Sequence, residues 1–272
     1  MKQKIMKFAK SIAPPVAVDI YRRFSGCRWF CGHYKTWDEA RKASEGYDSD
    51  VILNKVKNSL LKVKKGEAVY ERDSVLFGQI HYSWPLLAGL LWVASCGGNR
   101  LNLIDFGGSL GSSYYQNKKF LEHLPELKWS IVEQEKFVEC GKEYFEDEHL
   151  KFYNDIDKCI VERRPNAILF SSVIQYLEKP YGLLANVLNQ GFVYILFDRT
   201  SFLEKGNDRI TVQKVPPEIY PASYPAWFFN LDKFLDFFAD QYELMAEFDS
   251  FETFPLGDVS AQNKGFIFRR RT

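Results

Sequence analysis

Hydrophobic positions change their period near residue 98 of this chain. Before that point the spacing is helical. Ile52, Val56, Leu60 and Val63 fall on one face of a helix starting near Ser49, and Lys64-Lys65-Gly66 closes it. Thr36-Trp37-Asp38-Glu39 has the form of a capping box, with Gly46 available to end the helix it opens. Trp84 to Ala94 is nearly all apolar, with Pro85 at its first turn, and predicts a buried helix. It is too short to cross a bilayer, which takes about twenty residues. Cys96-Gly97-Gly98-Asn99 is a break. After it, short apolar runs at 101–105, 129–133, 150–153, 167–171 and 192–197 read as strands. Helical stretches separate most of them: one to about Leu124, one carrying Phe137, Val138, Gly141, Tyr144 and Phe145, and one carrying Leu183, Leu184, Val187 and Leu188 behind Pro180. Asn230 can cap a helix bearing Leu231, Phe234, Leu235 and Phe238, and 242–248 and 265–269 alternate as closing strands. The expectation is an α/β domain over 98–272, with a mostly parallel sheet of seven strands and an antiparallel pair at one edge, behind a helical cap over 1–97.

Composition narrows the classes. The 272 residues are 46% hydrophobic, enough for one large domain with a substantial core. A formal charge of +1 gives no support for nucleic-acid binding. Five scattered cysteines without a secretion signal point to a reducing, cytoplasmic setting, and Cys27 and Cys31 lack a second ligand pair at zinc spacing, so no metal is expected. Lys2, Lys4, Lys7, Lys10, Arg22 and Arg23 surround apolar residues, so this segment can lie peripherally on an anionic membrane face; Pro14, Pro15 and Asp19 interrupt any apolar core, so a signal peptide is not expected. Oligomeric state is not legible. The 23 Phe and 15 Tyr fit an aromatic core, or a pocket for a flat or sugar-like substrate.

The candidate chemistry begins at Asp105-Phe106-Gly107-Gly108-Ser109-Leu110-Gly111, where an apolar strand ends in an acid and a glycine-rich turn opens a helix. Such a turn lets a ligand approach the backbone, and the free N–H groups of the helix start attract an anion. Asp105 disfavours a pyrophosphate there. It suits a ligand with an amino group beside its own carboxylate, as in the methionine end of S-adenosylmethionine (SAM), with Asp105 ordering that amino group directly or through water.

The turn and the strand order resemble class I SAM-dependent methyltransferases, whose fold is Rossmann-like. The departure is Ser109, where that superfamily usually has glycine. The resemblance implies that Gly107, Gly108, Ser109 and Gly111 cradle the cofactor and that Glu133, at the end of the second strand, binds both ribose hydroxyls. It further implies that Gln134 lines the adenine, that Asp155 accepts from the adenine amino group (Asp157 is the alternative), and that Ser171 and Ser172 lie under the sulfonium. Gly46-Tyr47-Asp48, Tyr70-Glu71-Arg72-Asp73-Ser74-Val75, Phe197-Asp198-Arg199-Thr200 and Tyr220 to Trp227 together resemble a bacterial family of methyltransferases found with surface-polysaccharide biosynthesis. The resemblance covers most of the chain from about Trp37 and implies a fold and a cofactor more than an acceptor. The acceptor expected here is a small molecule or glycan precursor, with oxygen narrowly preferred over nitrogen as the methylated atom.

Transfer to an alcohol needs a base as well as positioning. Asp198 is favoured by its place at a strand end; His81 and Tyr176 are the other candidates. Arg72 and Arg199 can clamp an anionic acceptor or pair with Glu71, Asp73 and Asp198 beside them. Tyr220, Tyr224 and Trp227 can form a substrate wall stiffened by two Tyr-Pro steps, or a structural cover. Two other readings stay open: a nucleotide-dependent Rossmann oxidoreductase, and a non-catalytic SAM-binding scaffold in a glycan-assembly complex.

Overall fold

The computed structural model describes residues 29–46, 49–216, 219–256 and 259–272. Cys27 and the basic stretch from Lys2 to Arg23 lie outside them.

Five parallel strands form the centre: β4 (Arg100–Phe106), β5 (Glu126–Val132), β6 (Leu150–Tyr153), β7 (Ala167–Ser171) and β8 (Tyr194–Leu203), side by side in the order β8-β7-β4-β5-β6. Their near-continuous burial is what a parallel sheet covered on both faces requires. Two long strands, β11 (Tyr242–Pro255) and β12 (Ser260–Arg270), complete the edge, β12 running antiparallel to β8 and β11 antiparallel to β12. These are the seven strands expected. The sheet is wider, however. The far end of β8 runs past β7 and pairs with β10 (Ser223–Asn230), which continues through β9 (Arg209–Lys214) to β1 (Phe30–Tyr34). This antiparallel extension was not foreseen, and β1 belongs to the segment read as helical cap.

Helices cover both faces. On one lie α2 (Ser49–Lys64), α3 (Trp84–Cys96), α4 (Ser112–Leu121) and α5 (Glu135–Tyr144), whose Leu60, Leu90, Tyr114 and Val138 pack with Leu103, Trp129 and Leu196 of the sheet. On the other lie α6 (Ile156–Arg163), α7 (Pro180–Gln190) and α8 (Leu231–Ala239), with Cys159, Leu184, Phe234 and Phe238 against Ile168, Phe197 and Phe266. α3 is a layer of the α/β core itself: Gly89 lies so close to the sheet that a Cβ would sit 2.5 Å from Ile267. Most of the phenylalanines are core. Phe170, Phe197, Phe202, Phe228, Phe229, Phe234 and Phe238 are all fully buried, each worth about 1.5–3 kcal/mol of transfer free energy.

The capping box holds α1 (Trp37–Lys42): Thr36 Oγ1 accepts from the Glu39 N–H at 3.2 Å, while Glu39 Oε2 reaches back to the Lys35 N–H at 2.9 Å. That helix ends at Lys42, short of Gly46, whose carbonyl accepts from the Ser223 N–H and ties the segment to β10. The remaining surprise before residue 98 is a hairpin of β2 (Tyr70–Arg72) and β3 (Val75–Phe77). Its two turn residues, Asp73 and Ser74, have φ of 52° and 69°, the left-handed pair of a type I′ turn.

Candidate active site

The helix after β4 packs on one face of the sheet and the helix after β7 on the other, so the crevice between the carboxyl ends of β4 and β7 is the switch point where open α/β sheets bind ligands. The glycine-rich turn lies there. Gly107, Ser109 and Gly111 all have positive φ, at 69°, 55° and 107°. Gly107 is required twice over, because a Cβ there would also sit 2.3 Å from Val173. Ser109 adopts the left-handed conformation without glycine, so its presence does not reshape the turn.

Asp105 is fully buried beneath this turn. Its Oδ2 accepts from the Trp129 indole N–H at 3.1 Å, its Oδ1 has no hydrogen-bond partner among the described residues, and a Cβ on Gly108 would lie 2.6 Å from the carboxyl carbon. Burial pushes the Asp105 carboxyl up to about 7, with the Trp129 bond opposing and the Glu133 charge adding to the rise. Asp105 is therefore a strut under the backbone of the turn, closed off from above by Gly108. Glu133 stands at the next strand end, half-buried. Its Oε2 accepts from the Gln134 N–H at 2.7 Å. Burial raises its pKa, and the nearby N–H groups of Gln134 and Ser109 hold the rise back. The Gly107 N–H donates to the Val132 carbonyl at 2.9 Å, which ties the turn to the strand end that carries Glu133.

On the other side of the crevice, β8 carries a bulge. Lys264 pairs with Thr200 and Phe266 with Phe197, so β8 has one residue more than β12 between these pairs. Arg199 takes φ 51° there, and Gly265 opposite has no room for a side chain, its Cβ falling 2.7 Å from the Phe197 carbonyl oxygen. A regular strand would send neighbouring side chains to opposite faces; the bulge brings Asp198 and Arg199 together, Nε to Oδ2 at 3.6 Å. Asp198 is buried and accepts from two hydroxyls, Ser171 Oγ at 3.1 Å and Ser83 Oγ at 3.2 Å. Ser172, also left-handed, donates its N–H to the Asp198 carbonyl at 2.9 Å. Gln175 donates to the Arg199 carbonyl at 3.1 Å, pinning the bulge.

The N-terminal segment closes over both halves. Glu71, on β2, is 1% exposed and accepts from Ser112 Oγ at 2.5 Å, at the first turn of α4. Its other oxygen accepts from the Ser74 N–H at 2.7 Å, which offsets the strain of the hairpin turn. Gln116 donates to the Tyr70 hydroxyl at 3.1 Å, and Asp73 faces Arg199 NH1 at 3.6 Å. Both arginines are paired with local acids, Arg72 with Asp73 and Arg199 with Asp73 and Asp198, which realises the alternative to an open anion clamp.

The other candidates divide. Tyr176, Tyr220 and Tyr224 come together: the Tyr176 and Tyr224 rings meet edge-on at 5.4 Å, and Tyr220 lies beside Tyr224. Burial, with the Asp73 charge next, drives the Tyr176 hydroxyl well above its ordinary range. Trp227 is engaged inside the protein. Its N–H donates to the Leu177 carbonyl at 3.0 Å, and its ring lies near-parallel to those of Trp37 and Phe229, at 6.0 and 6.3 Å. His81 is exposed on the segment after the hairpin, its ring against Phe77 at 5.4 Å. Asp155 is the N-cap of α6, accepting from the Lys158 N–H at 2.7 Å, and Asp157 accepts from Gln190 at 2.7 Å. Gln134 is exposed at the start of α5. Sequence reasoning named neither Glu71 nor Ser83 as site residues; Glu71 entered only as a neighbour of Arg72. No cluster of metal-ligating side chains occurs among the described residues, and no helix among them is long and apolar enough to cross a membrane.

No family model and no curated protein matches the chain. Solved structures similar to it include the N-terminal domain of EvdMO1, crystallised in the presence of SAH and D-fucose, at 12% identity over 83% of this chain and 98% of that chain, with a TM-score of 0.48. LepI in complex with SAM overlaps at 12% identity and a TM-score of 0.46, over 68% of this chain but only 46% of LepI. The glycopeptide N-methyltransferase MtfA, complexed with sinefungin, overlaps at 8% identity and a TM-score of 0.45, over 68% of this chain and 87% of that chain. Likenesses with TM-scores below 0.5 assign neither ligand nor reaction to this chain.

Proposed function

We propose that this protein is a SAM-dependent methyltransferase acting on an oxygen of a small-molecule or glycan-precursor acceptor, by in-line displacement. The observation that carries the reading is the placement of Glu133 beside the turn: Gly107 donates its N–H at 2.9 Å to the carbonyl of Val132, the residue before Glu133, so that the carboxylate stands at the strand end next to β4. It supports an adenosine whose ribose hydroxyls meet Glu133 while the amino-acid end lies over Gly107–Gly111. The charges around the turn favour a cationic ligand over a dinucleotide. A pyrophosphate there would face Glu133 and Glu71, and each like-charge contact at 4 Å costs about 4 kcal/mol at an effective dielectric of 20. The orphaned Oδ1 of Asp105 and the lack of space for a Cβ on Gly108 fit a turn held rigid from below to receive a ligand from above.

When bound, SAM supplies a methyl group already activated by its sulfonium. This chain's residues have three tasks. Ser171 and Ser172, at the end of β7, offer oxygens beneath the reacting centre. Arg199 and the tyrosines 176, 220 and 224 position the acceptor by donating hydrogen bonds to it. Asp198 takes the acceptor proton, through either hydroxyl it already accepts from, as the new bond forms. The N-terminal segment excludes water, since Glu71, Asp73 and Ser83 tie it to the rim of the crevice. The basic residues before position 25 supply charge for peripheral contact with an anionic membrane face, and the free thiols of Cys96, Cys140 and Cys159 suit a reducing cytoplasm. Calorimetry with SAM and with NAD tests the reading. Saturable SAM binding without NAD binding is expected; NAD binding with none for SAM at millimolar ligand would reject it.

A further inference from the structure

Among the described residues, Glu71 is a buried carboxylate with no cationic partner. Its hydrogen bonds come from a hydroxyl, Ser112 Oγ, and a backbone N–H, that of Ser74. No lysine, arginine or histidine forms an ion pair with it; the nearby Arg199 pairs instead with Asp73 and Asp198. A charge taken out of water in this way is costly unless a cation meets it, and burial raises the Glu71 pKa accordingly. Each carboxylate oxygen keeps a second lone pair free for another donor. The position is specific: Ser112 directly follows Gly111, so the carboxylate stands at the open N-terminal end of α4, where no side chain caps the helix.

The acid first in line for a cationic amino group, Asp105, is not available from above. Its carboxyl is bound to Trp129 and covered by Gly108, which lies between it and any ligand above the turn. A zwitterionic ligand over this turn therefore meets backbone N–H groups suited to its carboxylate and one acid, Glu71, suited to its amino group. We propose that Glu71 is a cofactor-binding residue of the N-terminal segment, whose carboxylate receives the amino group of the SAM amino-acid end and orients that end on the turn. This rests on the reading of the crevice as a SAM site. It also gives the hairpin a purpose: the segment that closes the crevice carries the group that recognises the cofactor.

The test compares three ligands that share a neutral sulfur and adenosine: S-adenosylhomocysteine (SAH), its deaminated α-keto analogue, and 5′-methylthioadenosine, which lacks the whole amino-acid end. Each is titrated by calorimetry into the full chain and into Glu71→Gln, with Ser112→Ala as the variant that cuts the tie to α4 but keeps the charge. A charged hydrogen bond lost from a buried site lowers SAH affinity about 10- to 100-fold in Glu71→Gln. The α-keto analogue and methylthioadenosine should change less than about 3-fold, and Ser112→Ala should keep the preference for SAH over the keto analogue. If Glu71→Gln binds SAH as tightly as the parent, or loses all three ligands equally, the assignment is overturned while the SAM site stands. If the parent chain binds none of the three, the SAM reading falls and this assignment with it.

Discussion

Replacing Asp105 by asparagine should stabilise the protein at alkaline pH, by an amount the structure sets. The carboxyl has an ordinary value of 3.8 and is pushed up to about 7 by complete burial. The unfolded chain therefore loses this proton near pH 4, while the folded protein keeps it to about pH 7. Between those values the folded state binds more protons, so stability is fully present below pH 4 and is lost as pH rises through 7. A shift of roughly three pH units corresponds to about 4 kcal/mol once both states are ionised, of which about 2–3 kcal/mol falls between pH 5 and pH 8. Glu71 and Glu133 are also raised by burial and tilt the parent profile the same way. The informative quantity is thus the difference between parent and Asp105→Asn at each pH. Asparagine keeps an oxygen for the Trp129 N–H and carries no charge. Urea unfolding at pH 5 and pH 8 should show the parent losing about 2–3 kcal/mol more than the variant across that interval. Parallel profiles would refute the burial of an ionisable Asp105 under the turn.

Other perturbations probe separate parts of the account. Gly107→Ala places a side chain at φ 69° and 2.3 Å from Val173; strain and overpacking together should cost about 2–5 kcal/mol in thermal unfolding, and an undiminished Tm would contradict the turn geometry. Asp198→Asn should lower kcat by about 100-fold or more, with SAM affinity changed only a few-fold. Equal kcat would remove Asp198 from proton transfer. Trp227→Phe removes the indole bond to Leu177 and should cost about 1 kcal/mol of stability without raising the acceptor KM. A raised KM at unchanged stability would restore Trp227 as a substrate wall.

The central sheet was legible because parallel strands buried on both faces leave uninterrupted apolar runs, and caps such as Thr36 and Asn230 mark helix starts with short-range chemistry. What escaped followed from interactions distant in sequence. β10 holds Pro225, which argues against a strand, yet it pairs with Val212 within an antiparallel extension. β8 seemed to stop at Asp198-Arg199, because a charged pair looks like a strand end; the bulge lets the strand continue to Leu203. Helix α6 was hidden by its own cap, since Asp155 in a polar loop drew attention as an adenine ligand. In the site, the turn and Glu133 could be read from local pattern. The burial of Glu71 could not. It depends on a hairpin folding back onto α4, and nothing local marks that acid as different from the exposed Asp73 two residues later.

A crystal structure of the protein soaked with SAH tests the central claim most directly. The adenosine should lie with its ribose hydroxyls on Glu133 and its amino-acid end above Gly107–Gly111, sulfur directed toward Ser171 and Asp198. SAH bound away from the switch point, or a crevice that stays empty at saturating ligand, would contradict it.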